Sequence, residues 1–302
     1  MRPARHPDGR AGRGLKAALA LRTDVPAPLA PGLPFLLAGA RPLHYRRTLM
    51  TTRVTIVGAG PGSADLITLR GARALALARV VLHDALTDPA LHELAPAAQW
   101  IDVGKRGFCD STAQTRINAL LVQHARAPGH DIHVVRLKGG DPSVFGRLDE
   151  ELEALAAAGI ACEVVPGVTA AIAAAADLQR PLTRRGSGRS VALSTAMTRA
   201  GQLVATRGAD TEVFYMAGRQ LAALSRRLIG AGWPPETPVA VVSRAGWPDQ
   251  HGSDHRVDTL PEAVVLHGGR PTVVIVGVGA TALSAASPAA PEAIALPAVS
   301  KP

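Results

Sequence analysis

The 302-residue chain is 47% hydrophobic but only 3% aromatic, so it can form one or two domains whose cores consist mainly of Ala, Val, Leu and Ile. Its net charge of +9 is concentrated in residues 1–49, where nine Arg or Lys against two Asp leave only +2 for the rest of the chain. Beyond residue 49 the chain is close to neutral. This excludes a nucleic-acid-binding surface that extends across the whole chain, because binding phosphates requires clustered positive charge.

Residues 1–49 resemble a secretory signal only in part. The apolar stretch LPFLLAGA ends in an A-x-A-like sequence, but nearby prolines leave an apolar core below the ~7–15 residues of a signal peptide. Met50 lies four residues before the first apolar strand. We therefore interpret residues 1–49 as a disordered leader or as the product of a wrongly assigned translation start. We expect a cytoplasmic protein.

Cysteine content and hydropathy narrow the class of protein further. Cys109 and Cys162 form no CxxC pair, which argues against a disulfide framework and a zinc site. No stretch has the ~18 uninterrupted apolar residues of a membrane helix. We expect no metal cofactor and no membrane partner.

Short apolar strands alternate with helical segments through residues 53–166. Strands are predicted in VTIVGAG, ARVVLHD, WIDVGK, DIHVVRLKGGD and ACEVVPG. Helices are predicted at about 65–77, at 150–159, and after a Ser111–Gln114 capping box, where Ile117 and Leu121 share one face. Buried apolar strands joined by helices indicate a parallel α/β sheet.

The second half contains four more predicted strands and one helix. The strands lie at 190–196, 212–218, 238–246 and 271–279, and the helix at 219–232. From residue 281 the sequence is rich in Ala, Pro and Ser without periodicity, which predicts a disordered tail at 281–302. We expect two α/β domains, at 50–168 and 169–280.

The glycine-rich segment GAGPG after the first strand has three interpretations. A dinucleotide fingerprint needs G-x-G-x-x-G, but Gly58, Gly60 and Gly62 are spaced G-x-G-x-G and Ser63 takes the place of the third glycine. Pro61 removes a backbone donor that a pyrophosphate would use. A dinucleotide site, a structural turn and a site for another adenosyl ligand all remain open.

Gly139-Gly140-Asp141-Pro142 follows a predicted parallel strand. Its glycines let the main chain approach a ligand closely, and ligands of such sheets bind beyond the carboxyl ends of the strands. The alternative is an ordinary tight turn.

Several motifs in chain order resemble one enzyme family. VGKR (103–106), RLKGGDPSVFGR (136–147) and VVPGVTA (164–170), with GAGPG and VVLHD before them, resemble the tetrapyrrole methylases. Within that family they are most similar to the S-adenosylmethionine-dependent uroporphyrinogen-III C-methyltransferases. The resemblance covers about 53–279 and implies a homodimer in which a parallel-sheet N-terminal domain and a mixed-sheet C-terminal domain enclose the active site.

The resemblance also implies roles for individual residues. Asp84 and Lys105 would act in acid–base catalysis; as alternatives, Asp84 caps a helix and Lys105 is a surface cation. S-adenosylmethionine would be held by Pro61, Gly139, Gly140, Asp141, Val144, Thr169, Ala170, Met216 and Ala245. The carboxylates of the tetrapyrrole would be bound by a set of cations near the motifs, Arg106, Arg136, Lys138, Arg147, Arg184, Arg185 and Arg189, since Arg binds carboxylates in a bidentate manner.

The chain departs from the family mainly in acceptor-side motifs. Ser143 replaces a Phe, Leu148-Asp149 replace paired glycines, and Arg184 replaces a His. The methyl donor is therefore a firmer expectation than the acceptor. Rival functions are a methylase of a later corrinoid precursor, an NAD(P)-dependent dehydrogenase and a non-catalytic tetrapyrrole-binding protein. His251 and His255, four residues apart in HGSDH, are interpreted as solvated loop histidines rather than metal ligands.

Overall fold

The computed structural model describes residues 53–104, 114–128, 132–197 and 203–283. Within these ranges, ten strands form two five-stranded sheets. The first sheet has the spatial order β3-β2-β4-β1-β5, and all of its strand pairs are parallel, as predicted. Its strands are β1 (Val54–Gly58), β2 (Val80–His83), β3 (Gln99–Asp102), β4 (Val134–Lys138) and β5 (Cys162–Val165).

Helices cover both faces of the first sheet because alternate strand residues are apolar on both sides. Helix α1 (Leu69–Ala76) and the 3-10 helix Pro89–Leu94 pack on the face that contains Val57. Helices α2 (Gln114–Ala125) and α3 (Leu148–Ala157) pack on the opposite face, which contains Ile56. Side chains of β1 therefore enter two different cores.

The second sheet is mixed, with the order β6-β7-β10-β8-β9. Only β6 and β7 are parallel, and the other neighbours pair antiparallel. Its strands are β6 (Val191–Thr195), β7 (Thr211–Tyr215), β8 (Pro238–Ser243), β9 (His251–Arg256) and β10 (Thr272–Gly277). The prediction of a parallel-sheet part followed by a mixed-sheet part is confirmed.

Helices also cover both faces of the second sheet. Helix α4 (Ala170–Asp177) packs on one face through its alanines, and α5 (Leu221–Gly230) packs on the other through its leucines. The remaining described α-helix is α6 (Val264–His267). Four further 3-10 helices lie at Ala64–Leu66, Ala217–Arg219, Leu260–Ala263 and Val278–Ala280. None of the helices in the described ranges combines the length and the apolarity that crossing a membrane requires.

One predicted loop is a strand, so the prediction that the HGSDH histidines lie in a loop is wrong. β9 pairs with β8, and the Ser253 hydroxyl lies 2.8 Å from His255 Nε2 and 2.8 Å from His267 Nε2. His255 is therefore hydrogen-bonded rather than freely solvated. This polar edge strand has no apolar alternation, which is the signal used to predict strands. The predicted capping residue Ser111 lies outside the described residues.

A backbone contact connects the loop after β1 with the loop after β8. The Ser63 N–H donates to the Gly246 carbonyl over 2.9 Å, and the Gly246 N–H donates to Asp177 Oδ2 over 2.9 Å. These bonds attach the end of the first β-strand to the second sheet. They bring the loops that follow the strands of both sheets to one region.

Candidate active site

A cavity of about 410 Å³ lies between the loops of the two sheets. Its first wall is formed beyond the carboxyl ends of β1, β2 and β4, where parallel sheets bind ligands. Its second wall comes from the start of α4, the ends of β7 and β8 and the start of β10. The predicted cleft between the two parts of the chain is therefore present.

The turn after β4 exposes main chain to this cavity. Gly60 and Gly140 exchange two backbone hydrogen bonds, of 3.3 and 2.8 Å, which hold the turn against the loop after β1. A Cβ atom added at Gly139 would meet only Leu86 Cβ, at 3.9 Å, and one added at Gly140 would meet only the Val168 carbonyl oxygen, at 4.0 Å. The space beside both glycines is thus open for a ligand.

Asp141 stabilises the turn as an anion. Its Oδ1 accepts from the Ser143 N–H and from the Ser143 hydroxyl, and its Oδ2 accepts from the Gly167 N–H over 2.9 Å. Burial by itself would raise the pKa of Asp141, but these hydrogen bonds outweigh burial and hold the pKa below its ordinary value. The carboxylate therefore connects the turn to the segment before α4.

Tyr215 organises the start of α4 at the cavity wall. Its hydroxyl lies 2.8 Å from Thr169 Oγ1 and accepts from the Ala171 N–H over 3.3 Å. Burial raises the pKa of Tyr215, so the phenol is neutral. Thr169, the N-cap residue, forms no side-chain cap to the helix, and its hydroxyl bonds to Tyr215 instead.

Left-handed backbone conformations cluster at the cavity. Phe145, Arg147, Met216 and Arg244 have φ between 53 and 57° without being glycine, and all four line the cavity. Such conformations cost on the order of 1–3 kcal/mol each, and they concentrate at functional sites. The tertiary structure therefore holds these side chains in place at an energetic cost.

Asp84 presents its carboxylate to the cavity from the end of β2. Its Oδ1 lies 2.5 Å from Arg136 Nη2, and its Oδ2 accepts from the Gly139 N–H over 3.3 Å. The side chain is 32% exposed, whereas the side chain of Arg136 is only 2% exposed. The carboxylate is thus held by the buried Arg136 and remains accessible from the cavity.

Comparisons with known proteins identify this arrangement. Residues 53–263 match the family model for tetrapyrrole (corrin/porphyrin) methylases. The chain belongs to this family.

Curated relatives and solved structures agree with the family model. The chain is 44% identical over 200 residues to the uroporphyrinogen-III C-methyltransferase of Pseudomonas aeruginosa, covering 65% of this chain and 80% of that enzyme. It is 43% identical to the siroheme synthase of Edwardsiella ictaluri over 74% of this chain, but it spans only 49% of that protein's length. The crystal structure of the Thermus thermophilus uroporphyrin-III C-methyltransferase complexed with S-adenosylhomocysteine superimposes with a TM-score of 0.65, at 36% identity, covering 74% of this chain and 97% of that one.

Most of the residues that the family resemblance singled out line this one cavity. They come from both walls and include the predicted catalytic Asp84: Pro61, Asp84, Arg136, Lys138, Gly139, Gly140, Asp141, Val144, Arg147, Thr169, Ala170, Met216 and Ala245. The tertiary structure thus brings together segments that are far apart in the sequence. Which ligand each residue contacts stays a prediction.

The remaining predicted residues are placed elsewhere or are not described. Lys105 and Arg106 lie outside the described residues. Arg184 does not line the cavity, and its guanidinium donates to the Thr281 carbonyl. Arg185 is exposed and likewise absent from the lining. The proposed cations therefore do not form one continuous set around the cavity in the described part of the chain.

The predicted substrate cations that do line the cavity are already paired with carboxylates. Arg147 forms two hydrogen bonds to Glu150, of 2.7 and 2.6 Å. Arg136 and Lys138 are almost fully buried, and both bond to Glu151. Arg136 and Lys138 therefore have an internal role beside any contact with substrate.

Sequence reasoning missed several lining residues. They are mainly aromatic or apolar: Leu86, Gln114, Phe145, Tyr215, Arg244 and Trp247. Phe145 lies within the motif RLKGGDPSVFGR, and its ring packs against the ring of Tyr215 with the centroids 5.1 Å apart. Arg244 lies over the Trp247 ring at 4.4 Å and bonds to Asp249 over 2.7 Å.

Proposed function

We propose that this chain transfers methyl groups from S-adenosylmethionine to two pyrrole carbons of uroporphyrinogen III, giving precorrin-2 on the route to sirohaem or cobalamin. The observation that carries the proposal is that a single cavity joins the open Gly139 turn to the Asp84 carboxylate. The substrate is taken from the P. aeruginosa relative, which this chain matches over 80% of its length.

S-adenosylmethionine supplies an electrophilic methyl group, and S-adenosylhomocysteine is the leaving group. The open space at Gly139 and Gly140 fits such a ligand, because main-chain groups can approach its adenosine and its amino acid part without a Cβ between them. Thr169, Ala170 and Met216 would complete the donor site from the other wall.

The acceptor needs orientation more than a strong base. Reduced pyrrole carbons are enamine-like nucleophiles, and holding one in line with the methyl–sulfur bond can supply about 7–11 kcal/mol of the barrier. The Asp84 carboxylate would balance the positive charge that develops on the ring as the new carbon–carbon bond forms. Lys105 would accept the proton that the methylated ring then loses.

Uroporphyrinogen III carries eight carboxylates, so its binding requires cations at the rim of the cavity. Arg106, Arg147, Arg184 and Arg185 are our candidates, together with the missed Arg244; of these, Arg147 and Arg244 line the cavity. Arg136 and Lys138 are weaker candidates than the sequence suggested, because they are almost fully buried and Asp84 and Glu151 together balance their charge.

A methylase of a later corrinoid precursor is the second candidate. It is favoured by Ser143, which replaces a Phe of the family motif and bonds to Asp141 within the turn at the cavity. We further propose a cytoplasmic homodimer, by analogy with the family.

Incubation with uroporphyrinogen III and S-adenosylmethionine tests the function. We expect the mass of the tetrapyrrole to increase by two methyl groups, and we expect Asp84→Asn to lower kcat by ~10²-fold or more, since loss of one group that stabilises a developing charge costs about 10²–10³-fold in kcat. The Kd for S-adenosylhomocysteine, measured by calorimetry, should change less than twofold. Asp258→Asn, a substitution remote from the cavity, is the matched control.

Each rival predicts a different result. Methylation of later precursors without reaction of uroporphyrinogen III would support the second candidate. Binding of donor and tetrapyrrole without turnover would indicate a non-catalytic protein. Binding of NAD(P) without affinity for S-adenosylhomocysteine would indicate a dehydrogenase.

A further inference from the structure

Four charged side chains form a cluster at the cavity, named here the ion cluster: Asp84, Arg136, Lys138 and Glu151. The first three line the cavity, and Glu151 lies behind them. Arg136 and Lys138 are two residues apart on β4, so both project from the same face of the sheet, the face covered by α2 and α3. Glu151 enters from the first turn of α3. The ion cluster therefore lies at the cavity end of an otherwise apolar layer.

Glu151 is the central acceptor of the ion cluster. Its Oε1 accepts from Arg136 Nε over 3.0 Å, from Lys138 Nζ over 2.8 Å and from Gln114 Nε2 over 3.3 Å. Its side chain is fully buried and is not part of the cavity lining. Any influence of Glu151 on a bound substrate must therefore pass through its partners.

Arg136 connects Glu151 to Asp84. While its Nε bonds to Glu151, its Nη2 bonds to Asp84, and its Nη1 donates to the carbonyls of Leu82 and Leu137 over 3.3 and 2.9 Å. A planar guanidinium held on three sides cannot rotate. The orientation of the Asp84 carboxylate is thus set by a residue whose own orientation depends on Glu151.

The charges of the ion cluster balance, with two cations and two carboxylates. Removing one partner of a buried ion pair leaves an uncompensated charge, which is strongly unfavourable. Without Glu151, Arg136 and Lys138 would both face Asp84, the carboxylate that reaches the cavity. Glu151 therefore keeps Lys138 from competing with Arg136 for Asp84.

Stability alone does not explain this arrangement. All three described donors bond to one oxygen of Glu151, while Oε2 is buried without a hydrogen-bond partner in the described part of the chain. A buried carboxylate oxygen without a partner is costly, and a stability-optimised site would share the donors between both oxygens. In this geometry Arg136 bonds to Glu151 through Nε and to Asp84 through Nη2 at the same time.

We propose that Glu151 is a positioning residue for methyl transfer, acting through Arg136 to hold Asp84 in its reactive orientation. The inference rests on the proposed function for its kinetic test. Glu151 touches neither donor nor acceptor. Its removal should therefore slow the chemical step and leave donor binding intact.

The first experiment compares Glu151→Gln with the matched control Glu153→Gln, an exposed position on the same helix. We expect kcat to fall 10- to 100-fold in Glu151→Gln with the KM for S-adenosylmethionine within twofold, and no change in Glu153→Gln. Glu151→Asp keeps the charge and should recover part of the lost kcat. Equal kcat in Glu151→Gln and the native protein would overturn the proposal.

A double-mutant cycle tests the route through Asp84. In an Asp84→Asn background, Glu151→Gln should lower the residual kcat less than twofold, because the residue that Glu151 positions is already disabled. Multiplicative losses would contradict the inference. If Glu151→Gln fails to fold, Glu151→Asp replaces it in the cycle, since its shorter side chain withdraws the carboxylate from Arg136 while keeping the charge.

A crystal structure of Glu151→Gln, or of Glu151→Asp if only that variant folds, separates this inference from the proposed function. If the native protein fails to methylate uroporphyrinogen III, the proposed function fails, and the inference is then decided by the position of Asp84. Displacement of the Asp84 carboxylate from its contact with the Gly139 nitrogen would support the inference. An unmoved carboxylate would refute it.

Discussion

The two glycine-rich turns of the cavity look alike in sequence but differ in what surrounds them. At Gly62, an added Cβ would lie 2.4 Å from the backbone carbon of Gly246, and at Gly58 it would lie 2.6 Å from the Gly167 nitrogen. At Gly139 and Gly140, nothing lies closer than 3.9 Å. The first turn is filled by the protein's own backbone, while the second turn is open.

This difference explains why the first motif only imitates a dinucleotide fingerprint. Gly62 allows the loop after β1 to pack on the loop after β8, and Ser63 completes that contact with its hydrogen bond to Gly246. Glycine at this turn is thus required by packing between the two sheets. Glycine in the second turn leaves room for a ligand.

The largest effect is expected from Gly62→Ala. The substitution combines a positive φ of 88° with a backbone clash, so we expect a loss of at least about 3 kcal/mol in the free energy of unfolding, measured by urea denaturation. Gly159→Ala is the control, because Gly159 also has a positive φ but nothing within 4 Å, and it should cost only about 1–2 kcal/mol. Equal losses would show that the first turn is not defined by packing.

Gly139→Ala should affect binding instead of stability. A methyl group in the open space would meet the donor, so we expect the Kd for S-adenosylhomocysteine to rise about tenfold, roughly 1.4 kcal/mol, in calorimetry. The free energy of unfolding should change by less than about 1 kcal/mol. Gly230→Ala, which also meets nothing within 4 Å, should leave the Kd unchanged. Unaltered affinity in Gly139→Ala would remove the distinction between the turns.

Ser143→Ala should produce the smallest effect, and it should depend on pH. Asp141 has a depressed pKa, so its hydrogen bonds contribute stability above the ordinary value of 3.8, and that contribution is lost as the pH falls through the lower folded value. Since Asp141 is partly exposed, we expect the variant to lose only about 0.5–1 kcal/mol at pH 7. Urea denaturation between pH 7 and pH 3 should show this difference shrinking below about pH 4. A difference independent of pH would mean that the Ser143 hydroxyl does not act through the carboxylate.

Most of the first sheet could be predicted because its signals are local. Each of its strands places apolar side chains on both faces, and turn residues bound the segments. β9 could not be predicted in this way, because His251, Ser253 and His255 pair with an apolar strand while remaining polar at the sheet edge. Its pairing depends on β8, which no local pattern in β9 reveals.

By itself, the sequence determined the family, the alternation of strands and helices, and the turns at which a ligand could approach the chain. These follow from side-chain periodicity and from residue types that fit few backbone conformations. The tertiary structure alone decided that Gly62 is a packing residue and Gly139 an open one, and that Arg136 and Lys138 are neutralised by Asp84 and Glu151. The physical reason is that steric space and charge compensation depend on atoms from distant segments, which meet only in the folded chain.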